Sequence, residues 1–312
     1  MAILSKKLAI AVDLGATNLR VALVSHTGKI LKKLKEKTAK TGKDGSVVTN
    51  QIIRLIHEVT KNTSLKKIAG IGIASIGPLD YKRGGPVHSP NIPFPFIPLI
   101  QPIQKAFSLS VALNNDANAA ALAERYFGAG KHLKNLAYIT ISTGIGGGAI
   151  VDGNLLLGKG GNAAEIGHMI VDTSYDLLCT CKKGVGHWEA LASGTNIPRF
   201  FQAWAQKNKK SQSFSFATAK DVFAQANKRK PIILEFLDDL AKVNATAISN
   251  IIVAYDPELI TIGGSVALNN PNFTINGINK YVNHYLKLPK IQITKLGEDI
   301  GLLGTAAAAF QK

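Results

Sequence analysis

Asp116 follows Asn115 and opens onto an alanine-rich run, Asn115-Asp-Ala-Asn-Ala-Ala120. A carboxylate in that place either caps the helix that the alanines announce or accepts a hydroxyl proton in a phosphoryl transfer, a reaction in which positioning and electrostatics do most of the rest. The Asn115 amide can both donate to and accept from neighbouring hydroxyls. Glu165 stands three residues ahead of His168, a spacing that also serves a local hydrogen bond on one face of a turn, and Glu189 has the position of an ordinary acidic residue at a helix start. Cys179 and Cys181 are the two cysteines of the chain, separated by one residue, which is too tight for an ordinary disulfide. With His168 and His187 they make an N2S2 set suited to tetrahedral Zn2+. The alternative is a pair of reduced thiols with a histidine hydrogen-bonded to backbone.

Three small-residue turns could hold phosphate, because glycine lets backbone N–H groups approach an anion closely and threonine adds a hydroxyl. They are Asp13-Leu-Gly-Ala-Thr-Asn18, Ser142-Thr-Gly-Ile-Gly-Gly-Gly148 and Gly263-Gly-Ser265. Each alone is equally well a tight hairpin. The elements that must position them follow from apolar patterning. Leu8 to Leu14, Leu19 to Ser25 and a lysine-rich segment from Lys29 predict a three-stranded meander, followed by a helix over 46–60 and a strand over 68–74. A helix over 117–127, a strand over 136–142, a glycine turn at 144–148 and a strand over 149–151 repeat the theme. A helix over 234–254, a strand over 259–262 and an alanine-rich helix over 301–310 complete the chain. The pattern implies a duplicated α/β architecture: a small N-terminal domain over 1–113, joined by a returning helix at about 299–312, and a large domain over 114–298, around a cleft.

No G-x-x-x-x-G-K-[ST] segment is present, and the Gly70-x-Gly72 pair is embedded in a strand rather than opening a helix, so P-loop and dinucleotide-binding folds are disfavoured. What remains is the duplicated actin-like (ribonuclease H-like) ATPase fold. The five segments Asp13–Asn18, Asn115–Ala120, Ser142–Gly147, Glu165-Ile-Gly-His168 and His187-Trp-Glu-Ala-Leu-Ala-Ser-Gly194 occur in the order and approximate spacing of the repressor/ORF/kinase (ROK) sugar-kinase family, and the chain resembles that family over nearly its whole length.

That resemblance implies an ATP-dependent hexokinase or glucokinase acting on the 6-hydroxyl of glucose or a related hexose, with Asp116 as general base. It implies that Asp13, Gly15, Thr17 and Asn18 serve the first phosphate hairpin, with Asp13 in the Mg2+ shell through water. Thr143, Gly144 and Gly146 would serve the second hairpin, and Gly263 and Gly264 the nucleoside side. Gly77, Asn91, Asn115, Asp116, Glu165, His168 and Glu189 are the implied sugar contacts. The segment Gly72 to Asp80 leans toward fructokinase-like members and His187 to Gly194 toward broad hexokinases, so fructokinase and N-acetylated amino-sugar kinase stand as alternatives. Family members commonly ligate zinc with one histidine and three cysteines. Here Lys182-Lys-Gly-Val-Gly-His187 lacks the third cysteine, and His187 is the expected fourth ligand. Sugar-sensing repressors of the same family carry a winged-helix domain ahead of the first hairpin; here that hairpin begins almost at once, which disfavours a regulator. A homodimer is also implied by the resemblance alone.

The 312 residues are 46% hydrophobic, enough for about two ordinary domains. The longest apolar runs fall far short of the ~20 residues of a membrane helix, and Asp13 interrupts the short apolar run that a secretory signal would need; a cytoplasmic protein with no membrane partner is expected. The net charge of +17, from 37 basic and 20 acidic residues, attracts anions without choosing among them. It is mostly lysine, without the aromatic interleaving of a base-stacking groove, so a solvated basic surface is expected rather than a nucleic-acid partner.

Overall fold

The computed structural model describes residues 7–89, 92–210 and 214–311. In chain order the strands are β1 (Leu8–Leu14), β2 (Asn18–Ser25), β3 (Ile30–Lys37), β4 (Ile68–Ser75), β5 (Leu79–Asp80), β6 (Gly85–Pro86), β7 (Val111–Asn115), β8 (Leu136–Ile141), β9 (Ile145–Val151), β10 (Asn154–Leu155), β11 (Leu259–Gly263) and β12 (Lys290–Ile293). The helices are α1 (Ser46–Thr60), α2 (Ile100–Phe107), α3 (Asp116–Tyr126), α4 (Trp188–Ala192), α5 (Ile197–Lys207), α6 (Ala219–Asn227), α7 (Pro231–Tyr255), α8 (Ser265–Asn269), α9 (Pro271–Tyr281) and α10 (Ile300–Phe310).

Packing divides the chain into two units. One holds the described residues up to 132, together with 157–162 and those from 298 on; the other holds 133–156 and 163–297. By this division α3 and its Asp116 belong with the first sheet.

The first sheet runs β3-β2-β1-β4-β7 and the second β10-β9-β8-β11-β12. In each, a hairpin meander is joined on its first strand to two parallel strands: β1 pairs antiparallel with β2 and parallel with β4, as β8 pairs antiparallel with β9 and parallel with β11. The duplication expected from the recurring turns is therefore present at the level of topology.

Small residues explain how helices lie so close to the first sheet. A Cβ placed on Gly72 of β4 would stand 1.8 Å from the Thr305 carbonyl oxygen, and one on Gly304 of α10 1.7 Å from that of Ala119. Glycine at these two positions lets α10 pack directly on β4 and α3. Ala117, Ala119, Ala120, Ala121 and Ala123 of α3 and Ala306 to Ala309 of α10 are buried, so alanine here is a packing requirement as well as a helix former. In the second unit Phe200, Phe201, Trp204 and Phe236 form an edge-to-face cluster, with Phe201 and Phe236 at 5.2 Å and 88°, and the Trp204 indole N–H donates to Asp239 Oδ2 at 2.7 Å.

One sequence expectation needs correcting. The turn anticipated at 144–148 is shorter, because β9 already begins at Ile145. Gly147 lies inside that strand, where a Cβ would come within 2.4 Å of Ile166. Glycine serves close packing there, not the turn.

Candidate active site

In the first unit the β1–β2 turn is held from within. Gly15 N–H donates to the Asn18 carbonyl at 3.0 Å, and the Thr38 hydroxyl donates to the Gly15 carbonyl at 2.7 Å. Thr17 is exposed at the tip. Asp13 of β1 lies directly opposite Arg20 of β2, whose Nε donates to Asp13 Oδ2 at 2.9 Å. Arg20 also reaches the Glu298 carbonyl at 3.0 Å and Asp299 Oδ1 at 3.4 Å. One carboxylate oxygen of Asp13 is thus committed to a fixed cation.

The β7–α3 junction separates two roles that the sequence leaves merged. Asn115 is the N-cap: its Oδ1 accepts from Asn118 N–H at 2.7 Å. Asp116 is the first residue of the helix, exposed, and its Oδ1 accepts the Ala117 N–H at 2.9 Å. Capping therefore falls to Asn115, and its carbonyl oxygen is occupied by that task. Gly77 follows β4, and a Cβ there would meet nothing nearer than 4.0 Å, so no protein neighbour demands a glycine at that position. Asn91 lies outside the described residues.

In the second unit the β8–β9 and β11–α8 turns converge. Ser142 and Ser265 hydroxyls lie 3.0 Å apart. Gly264 has φ +86°, and a Cβ on it would stand 2.4 Å from the Ile141 carbonyl oxygen; on Gly263 it would stand 2.4 Å from the Tyr138 hydroxyl. Both turns border a pocket of about 750 Å3 whose walls include Ser142, Thr143, Thr195, Thr218, Lys220, Phe223, Ser265 and Asn269. That volume is in the range of small-molecule sites, and the lining combines hydroxyls, amides, one cation and one aromatic face. Thr218, Lys220 and Asn269 are absent from the residues singled out in the sequence. The available signal was Thr218-x-x-Asp221, which does form a capping box, but such a pattern announces a helix start and says nothing of a ligand.

Gly146 pairs with Thr140 inside the β8–β9 ladder. The segment with Glu165 and His168 is pressed on β9: a Cβ on Gly167 would lie 2.1 Å from the Ile145 carbonyl oxygen. The only hydrogen bond between Glu165 and His168 among the described residues is backbone, His168 N–H to the Glu165 carbonyl at 3.1 Å, and the Glu165 side chain is exposed. The local side-chain pairing left open by the spacing is not what this turn uses.

Glu189 sits in the first turn of α4. Its Oε2 accepts Ile145 N–H at 2.9 Å, and its Oε1 accepts the Thr180 hydroxyl. The helix is anchored by Trp188, fully buried, whose indole N–H donates to Asn244 Oδ1 at 2.8 Å.

His168, Cys179, Cys181 and His187 gather so that one ligand atom from each lies within 4.8 Å of all the others. Cys179 Sγ is 3.8 Å from His168 Nδ1 and Cys181 Sγ 3.6 Å from His187 Nδ1. In a zinc tetrahedron with ordinary bond lengths, ligand atoms stand about 3.3–3.8 Å apart, so the donor set fits the ion in kind and these two pairs fit it in spacing, while the set as a whole, spread over as much as 4.8 Å, would draw together around an ion. Burial pushes the Cys179 thiol up, so the thiolate form needs a cation such as the metal. Burial, and then the neighbouring His168, pushes His187 down, which favours the neutral ring that ligates.

Among the described residues no helix is long and apolar enough to cross a membrane.

The ROK family model matches residues 9–312. A glucokinase of Pyrobaculum calidifontis is 36% identical over 304 residues, covering 97% of this chain and 95% of that relative. Among solved structures, a ROK hexokinase from Thermus thermophilus superposes with a TM-score of 0.81 at 28% identity, over 97% of this chain and 98% of the other. A ROK family glucokinase from Streptomyces griseus, in complex with glucose and AMPPNP, gives 0.75 at 27%, over 98% and 100%.

Proposed function

The chain belongs to the ROK family, and on that premise we propose that it is an ATP-dependent hexose kinase that transfers the γ-phosphoryl group of Mg-ATP to the 6-hydroxyl of glucose or a closely related hexose. The observation that carries this reading is the pocket where the Ser142–Gly144 and Gly263–Ser265 turns meet. It offers hydroxyls and a lysine to phosphate and an aromatic face to a base, in a chain 36% identical to a glucokinase. Fructose and N-acetylated amino sugars remain substrates to compare, with no observation favouring them.

In this reading Asp116 takes the proton of the attacking hydroxyl. It is exposed at the start of α3, and the burden of capping rests on Asn115 instead. The Asn115 amide nitrogen, Gly77, Asn91, Glu165, His168 and Glu189 orient the hexose. Thr143, Gly144, Gly146, Gly263 and Gly264 receive the nucleotide in the second unit, with Thr218, Lys220 and Asn269 added to them. Gly15, Thr17 and Asn18 present the first hairpin to phosphate. Magnesium, when bound, neutralises the charge of the transferring phosphoryl group; with Asp13 Oδ2 already held by Arg20, the residue would act on it through water, as suits an ion that keeps much of its hydration. Zinc held by His168, Cys179, Cys181 and His187 would brace the loop that carries His168.

Replacing Asp116 by Asn tests the assignment. The amide keeps the shape but cannot accept the proton, so kcat should fall on the order of 10²–10⁴-fold with the sugar Kd nearly unchanged. Turnover within about twofold of the parent would refute Asp116 as base.

A further inference from the structure

The second hairpin is clamped from one side by a single short stretch of chain. Besides the Glu189 bond to Ile145 N–H at 2.9 Å, Gly194 N–H donates to the Ser142 carbonyl at 2.7 Å and Thr195 N–H to the Thr143 carbonyl at 3.3 Å. All three clamps come from residues 189–195. The stretch is stiffened in turn by Asn196, fully buried, whose amide donates to the Glu189 carbonyl at 3.0 Å and the Ser193 hydroxyl at 2.9 Å. Gly144 leaves no slack, since even a Cβ there would come within 2.6 Å of Glu189 Oε2.

The far side of the same carboxylate points to the Cys179-Thr180-Cys181 loop. The Thr180 hydroxyl donates to Glu189 Oε1, and the Cys179 sulfur lies 3.8 Å from that oxygen. Thr180 is the residue between the two cysteines and itself belongs to neither the ligand set nor the sugar contacts.

We propose that Thr180 and Glu189 form a positioning pair that holds the second hairpin in its nucleotide-binding shape, so that the Thr180 hydroxyl, independently of any metal, sets the affinity for the nucleotide. Glu189 then acts on both substrates, orienting sugar by resemblance and phosphate through Ile145. This inference rests on the reading that the hairpin receives nucleotide phosphate. A charge-assisted hydrogen bond from Thr180 fixes the rotamer of the carboxylate, and the carboxylate fixes the first residue after the hairpin tip. With the hydroxyl gone, the carboxylate is free to turn toward water, and the tip must be ordered by the nucleotide at its own cost in affinity.

The experiment measures binding of Mg-AMPPNP and of glucose separately by calorimetry, on the parent protein, Thr180→Val and Thr180→Ser, with zinc content determined on the same samples. Valine keeps the branched shape without the hydroxyl, and serine restores the hydroxyl alone. The expected result is nucleotide affinity weakened on the order of tenfold in the valine variant, glucose affinity weakened by a smaller factor because the same carboxylate faces the sugar, recovery of both in the serine variant, and equal zinc in all three. Unchanged nucleotide affinity in Thr180→Val overturns the proposal. So does weakening that serine does not rescue, or weakening that follows a loss of zinc. A parent protein that binds no nucleotide at all would instead overturn the kinase reading itself, and the inference with it.

Discussion

Gly264 is restricted both by its backbone conformation and by its neighbours. Its φ of +86° and ψ of 156° fall in a region almost closed to side chains, and the added methyl of alanine would meet the Ile141 carbonyl at 2.4 Å. Gly264→Ala should therefore lower stability on the order of 1–3 kcal/mol and weaken nucleotide binding more than sugar binding, as followed by thermal melting and calorimetry. A variant with parental melting temperature and nucleotide affinity would contradict this account of the turn. Gly144→Val would not isolate phosphate approach, because the new side chain would first displace Glu189. The sequence shows that Gly144 and Gly264 belong to turns, since the strands around them are patterned. It does not show which neighbour each glycine accommodates, because Glu189 and Ile141 reach them only through folding. Likewise the Asn115-Asp116 pair announces a helix start without saying which residue caps it; backbone conformation at Asn115, extended at ψ 166°, decides.

At the scale of elements, the hairpins and long helices were legible because burial on one face imposes a clear period. The helix expected over 46–60 is α1 itself, with Val48, Ile52, Leu55, Ile56 and Val59 on its buried face. Helices α5, α6 and α9 were not picked out, and β7 and β12 are short strands whose place comes from pairing with β4 and β11 rather than from local pattern. The contact between α7 and α9 makes a pH-dependent prediction. Partial burial opposes ionisation of Asp238, but hydrogen bonds from Lys280 and Tyr281 outweigh it and hold the carboxyl below its usual value, with Lys280 Nζ at 2.6 Å and Tyr281 Oη at 2.5 Å. A carboxyl depressed in the folded state stabilises above its unfolded pKa and loses that contribution as pH falls through the folded one. Asp238→Asn should thus destabilise the protein at pH 7 by about 1 kcal/mol or less, since solvent screens the pair, read as a lower melting temperature, and the difference should shrink below about pH 4. A difference that grows in acid would contradict the assignment. For the Cys179–Cys181 loop, elemental analysis of protein purified without chelator should find close to one zinc per chain. Replacing both cysteines by serine should remove it and lower the melting temperature by about 5 °C, with a higher sugar KM; a stoichiometry near zero with unaltered melting and kinetics in the double variant would end the zinc assignment.

For the molecule as a whole, two sheets of like topology were foreshadowed by the three glycine turns, since a repeated strand-turn-strand theme is visible without knowing what it packs against. The pocket bordered by the second unit's glycine turns was not. Its walls draw on Ser142, Thr195, Thr218 and Ser265, residues far apart in sequence and individually ordinary, and only the fold gathers them. Part of the lysine excess is engaged in surface ion pairs such as Lys33 with Asp299 at 2.8 Å and Lys210 with Glu235 at 2.8 Å. The function proposed for the chain is a phosphoryl transfer, and the most direct measurement follows phosphorus. Purified protein incubated with glucose, ATP and Mg2+ and observed by 31P NMR should convert ATP to ADP with a matching amount of glucose 6-phosphate, at a rate at least about 100-fold above that of Asp116→Asn. Consumption of ATP with release of inorganic phosphate alone, or no consumption with glucose, mannose, fructose, glucosamine or N-acetylated sugars, would contradict it.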